Sequence, residues 1–172
     1  MGTQIFYIVS TILIGSGMAL QVTMISAMAR VRGPFEATWL SLMATIMGVA
    51  ALMAYRSSNN LLVIPAPFNK WTVLLGISVI AGISLLLLLR GIPVYFFITG
   101  LFAIPLLVGA GYLGPKIGIG LFVTASIAGQ VIGSVLLDHF GAFGLPIHKI
   151  DFFRLLGMIT LMVGVVLVRG IR

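Results

Sequence analysis

Between Lys116 and Asp138 the sequence reads IGIGLFVTASIAGQVIGSVLL (residues 117–137) without one charged side chain. A helix rises about 1.5 Å per residue, so this run covers the roughly 30 Å of hydrocarbon in a bilayer. It is too long for a barrel strand and shows no period-2 alternation, which disfavours a β reading. Working outward, five more runs of the same kind appear. Residues 5–29 stop at Arg30 and Arg32; 37–55 open after Gly33-Pro34 and close at Arg56. Residues 71–89 lie between Lys70 and Arg90, 94–113 follow Gly91-Ile92-Pro93, and 152–168 end at Arg169. The expected fold is all-α, a polytopic transmembrane helix bundle of five or six spans in a single domain, 1–172. The open point is 71–89, which is short and carries Gly76, Ser78, Gly82 and Ser84, and so reads as a sixth span or a half-membrane segment. The loop 56–70, with Ser57-Ser58-Asn59-Asn60, Pro65 and Pro67, is turn-rich.

Composition agrees. Hydrophobic residues make up 60% and charged residues 8%, against about 25% charged in soluble domains. So few charges cannot build a water-facing exterior, so lipid is the expected solvent. The net charge of +7 sets ten Lys and Arg against Glu36, Asp138 and Asp151. These basic residues lie between apolar runs, where they meet lipid phosphates, so no nucleic-acid partner is expected. Without cysteine, neither disulfides nor thiolate metal sites form. The Trp and Tyr residues (Trp39, Trp71, Tyr7, Tyr55, Tyr95, Tyr112) all fall near span borders, where amphipathic rings belong. Met-Gly-Thr-Gln at the N-terminus lacks a basic n-region, so the first run is expected to stay in the mature protein.

Orientation should follow Lys and Arg in short loops. With six spans, Arg56, Lys70, Lys116, Arg169 and Arg172 share the N-terminal side, against Arg30, Arg32, Arg90, Lys149 and Arg154. That is five against five, and a five-span plan also divides them equally. Either unseen factors settle the orientation or copies insert both ways. Oppositely oriented copies would pair as an antiparallel dimer that recreates an inverted repeat.

Polar groups inside the spans are few. Ser126, Gln130, Ser134 and Asp138 recur every fourth residue and form one polar stripe on a helix. Ala125, Gly129 and Gly133 form a small-residue stripe beside it that lets another backbone approach. Gln21 is the other amide deep in a span, on a face with Ser10 and Gly17. An amide in hydrocarbon costs several kcal/mol, so Gln21 and Gln130 must meet a neighbouring helix or an aqueous cavity. Gln21, Ser126, Gln130 and Ser134 are therefore substrate-cavity candidates, with interhelical packing as the alternative reading. Asp138 and His139 end the fifth span, where they either handle protons or hold an interfacial turn. His139 and His148 are too few for a zinc site. Glu36 favours the start of the second span, or attracts cations to an entrance. Pro105 should kink the fourth span and release a carbonyl near Leu101. No nucleophile–base pair, metal cluster or phosphate loop is present, so neither an enzyme nor a cofactor is expected.

Gly-Pro-Lys-Ile-Gly (114–118), Ala-Gly-Gln (128–130) and Asp-His-Phe-Gly (138–141) closely resemble the YdcZ-type family of small bacterial inner-membrane proteins in the drug/metabolite transporter superfamily. Arg154-Leu155-Leu156-Gly157 with Gly164 resembles the family's last span. Gly17-x-Ala19-x-Gln21 and Arg30-x-x-Gly33 resemble its first. The resemblance covers roughly 13–42 and 97–168. Three features depart from it: Ile25 stands where the family has Asn, the Gly-Ser-Pro turn is shortened to Gly33-Pro34, and 71–89 looks like an insertion into a five-span plan. The resemblance implies a drug/metabolite-transporter-like half-repeat in the bacterial cytoplasmic (inner) membrane, exporting a small molecule as an antiparallel dimer. The expected function is alternating-access transport by a homodimer or a heterodimer with a paralogue, with membrane lipid around it. A passive channel and a non-transporting subunit of a membrane complex are the alternatives. No acid lies mid-span, which argues against a buried carboxylate shared by substrate and protons.

Overall fold

The computed structural model describes residues 2–170, which are helical wherever they are regular, with no strand among them. In chain order the helices are α1 (Gly2–Arg32), α2 (Pro34–Ser58), α3 (Trp71–Leu88), α4 (Ala103–Ile117), α5 (Ile119–Phe140) and α6 (Phe152–Arg169). A 3₁₀ segment, Val94–Phe102, runs directly into α4 and shares its crossing. Among the described residues six helices are thus long and apolar enough to cross a membrane. The run 71–89 forms α3, which has 18 residues and a mean hydropathy of 2.4, the highest of the six. At about 1.5 Å per residue it approaches the full hydrocarbon thickness, so it qualifies as a sixth crossing by length and composition.

The helices overrun most of the expected borders. Arg30 and Arg32 lie within the last turn of α1, and α2 begins at Pro34. Long basic side chains can bend their charge to the interface while the helix continues, so a charge does not stop a helix where it stops an apolar run. Single glycines make the breaks instead. Gly33 (φ 87°) separates α1 from α2, and Gly118 (φ 88°) separates α4 from α5. Both take a left-handed φ that side chains rarely tolerate. Pro115 is accepted inside α4 rather than ending it, and Pro105 sits in the first turn of α4, not mid-helix. Of the charges used to judge orientation, Arg172 lies outside the described residues.

The chain divides into two compact units. One combines Met1–Ala27 with Pro105–Arg172, and its core gathers Ile8, Leu113, Leu121, Phe122, Ala125 and Val165. Within it α1 and α5 run parallel, with Ile12 facing Gly129, Gly15 facing Ser126, and Ser16 and Ala19 facing Gly133. Lipid offers helices no hydrophobic reason to associate, so close packing and interhelical hydrogen bonds must hold this seam. The Ser16 hydroxyl stands in this seam, its one proton shared between the Gly129 carbonyl across it and the Ile12 carbonyl of its own helix, each at 3.1 Å. At one end of the unit the Lys116 ammonium sits 3.6 Å from the centre of the Tyr112 ring and 5.1 Å from that of Tyr7. This cation–π contact ties α4 to α1.

The second unit, Met28–Ile104, holds α2, α3 and the 3₁₀ segment. The Ser78 hydroxyl of α3 donates to the Met47 carbonyl of α2 at 2.9 Å. The Thr45 hydroxyl of α2 reaches the Gly100 carbonyl at 2.8 Å. A Cβ on Gly100 would overlap the Ser41 carbonyl, so this crossing too is backbone against backbone. Runs of 3₁₀ geometry beyond three or four residues are uncommon, and this one spans nine.

Candidate functional site

The residues expected to matter for transport fall on two faces of α5 and one of α1. Ala125, Gly129 and Gly133 are buried against α1, and a Cβ on Gly129 would overlap the Ile12 carbonyl. Ser126 is buried at the same seam, where its carbonyl meets Gly15. Its hydroxyl donates back to Val123 O at 2.8 Å, and that of Ser134 donates to Val131 O at 3.0 Å. Both serines thus spend their proton on their own helix. Gln21 is buried in α1, two residues past Ala19.

Gln130 differs from the rest. It is half-buried, and its amide makes no hydrogen bond to the protein among the described residues. Val123 and Ile127, on the same helical face, are 46% and 45% exposed. The amide therefore stands mid-helix at the edge of an outward face, with two donors and two acceptor positions to satisfy. Hydrocarbon can satisfy none of them.

Asp138 and His139 anchor the loop that follows α5. The Asp138 carboxylate lies 3.7 Å from the Arg154 guanidinium, and the Asp138 carbonyl accepts from His148 N at 2.9 Å. His139 Nδ1 accepts from Ile150 N at 3.1 Å, which places the ring proton on Nε2. Asp151 caps α6 by accepting from Arg154 N at 2.7 Å. Together these contacts fold residues 141–151 back on the helix end. Among the described residues no group of three or more His, Asp or Glu could hold a metal.

One feature lay beyond the polar stripes. In the second unit a cleft of about 590 Å³ opens at the α1–α2 turn, within the roughly 300–1,000 Å³ of small-ligand sites. Arg32, Phe35, Glu36 and Trp39 line it beside Met28, Leu40, Leu88 and Ile92. Arg32 donates from Nη2 to the carbonyl of Arg90. Glu36 is exposed and makes neither an ion pair nor a hydrogen bond among the described residues. The sequence signal was Arg and Glu four positions apart across Gly33-Pro34, with Trp39 following. In sequence alone Trp39 marks a span border, and Glu36 a helix start or a cation attractor.

Neither a curated protein nor a solved structure matches the chain. The model of one family, described as "Putative inner membrane exporter, YdcZ", matches residues 6–167, a stretch that reaches from the start of α1 into the end of α6 and takes in α3. The chain belongs to the YdcZ family of inner-membrane proteins, to which an exporter's role is ascribed.

Proposed function

We propose that this chain exports a small molecule by alternating access, as an antiparallel dimer of two copies or of one copy and an oppositely oriented paralogue. The carrying observation is Gln130, an amide in the middle of an apolar helix with no protein partner among the described residues. A group that costs several kcal/mol to leave bare in hydrocarbon belongs against water, substrate or a facing subunit. A cavity between two subunits supplies all three in turn. Ser134, one helical turn on, would extend its wall, with Gln21 and Ser126, buried in the same unit, standing behind it. The balanced basic residues support copies of both orientations. With no acid mid-span, the fitting substrates are neutral, amphipathic or lipid-like.

The test begins with a thermal-stabilisation screen of the purified protein, because a ligand that binds only the folded form raises its apparent stability. Counterflow of the hit is then measured in proteoliposomes. Saturable exchange supports a carrier, conductance indicates a channel, and absence of flux indicates a subunit. Gln130→Ala should abolish exchange while leaving dimerisation intact. Full exchange in that variant contradicts the proposal.

A further inference from the structure

The cleft at the α1–α2 turn has a chemistry that the transport reading does not use. Its lining comes from the end of α1, the first two turns of α2, and the end of α3 with the loop beyond. These helix ends place it at a membrane border, not mid-span. Trp39, 54% exposed on its wall, belongs at headgroup level. One base and one acid line it, Arg32 and Glu36. The guanidinium gives one donor to the Arg90 carbonyl, and a guanidinium has five. The Glu36 carboxylate has no ion-pair partner among the described residues. Behind both lies an apolar floor of Met28, Ala37, Leu40 and Ile92, all buried.

We propose that this cleft binds a zwitterionic phospholipid whose headgroup carries a primary ammonium, with Arg32 on the phosphate and Glu36 on the ammonium. A two-carbon linker joins the two charges of an ethanolamine phosphate, so both can reach side chains lining one cleft. The acyl chains run along the Leu40 and Met28 floor. An anionic headgroup without an amine would answer Arg32 but bring like charge to Glu36. A choline headgroup has the charge but no N–H to donate to the carboxylate. Lipid is the occupant because the site opens at the level where phosphates are densest and its floor leads inward from there.

The experiment uses Trp39 as the reporter, with Trp71, the other of the two tryptophans, changed to Phe. The full chain is reconstituted in phosphatidylglycerol vesicles. Each preparation contains a minor fraction of dibrominated phosphatidylethanolamine, phosphatidylcholine or phosphatidylglycerol, whose bromines quench a tryptophan they touch. The expected result is about threefold stronger association of the ethanolamine lipid than of either other lipid, the size of an exposed ion pair. Glu36→Gln should level the three lipids, and Glu36→Asp should keep their order. Equal quenching by all three in the Glu36 protein overturns the proposal, as does choline or glycerol lipid ranking first. The comparison is made within one folded protein and does not read transport, so it stands or falls separately from the export reading.

Discussion

Gln130 and its neighbours on α5 show how differently polar side chains behave in one helix. Ser126 and Ser134 satisfy themselves on carbonyls three residues back, a local bond that spacing alone cannot reveal because it depends on rotamer. Ser134→Ala should therefore reduce exchange far less than Gln130→Ala, measured side by side in proteoliposomes. Asp138 presents the opposite case, a charge that looks functional and is engaged in holding a loop. Its 3.7 Å pair with Arg154 is about a third exposed on each side, and such pairs contribute roughly 0–1 kcal/mol. Asp138→Asn should lower the melting temperature in detergent only slightly and leave exchange intact. Loss of exchange in that variant would instead return Asp138 to the proton-handling role.

At the scale of elements, the seam between α1 and α5 depends on having no side chain at particular points. Gly129→Leu would drive a side chain into the Ile12 carbonyl, and overpacking of this kind costs about 1–3 kcal/mol or more. Gly164→Ala on α6, where nothing lies within 4 Å of the added Cβ, should be neutral or stabilising by up to about 1 kcal/mol. Thermal unfolding in detergent should separate the two. A Gly129→Leu protein as stable as the parent would refute the seam. Thr45→Val tests the other crossing by removing the bond to Gly100, at about 0.6 and at most about 1.7 kcal/mol. The spans were legible because hydrocarbon thickness sets their length and tyrosine and tryptophan mark their borders. The 3₁₀ geometry of Val94–Phe102 was not, because an apolar run reads alike in either helix. What distinguishes this one is the approach of Gly100 to Ser41 and Thr45, more than fifty residues away in sequence. The cleft escaped for the same reason, since its lining combines 28–40 with Leu88 and Ile92.

For the whole molecule, the balanced charges and six spanning-length helices lead to one topological expectation. Reporter fusions after Arg169 should give signal from both sides of the membrane if one chain supplies both halves of the dimer. Signal from one side only would leave a paralogue as the opposite half. The most direct test of the central claim uses the absence of cysteine from the sequence. Gln130→Cys would introduce a single thiol, which reacts with a water-soluble maleimide only where water reaches it and forms the thiolate. Ile80→Cys, on an α3 face that is 68% exposed, provides the lipid-facing reference. A cavity at Gln130 predicts rapid labelling at 130 and almost none at 80. Labelling at 130 no faster than at 80 would contradict it.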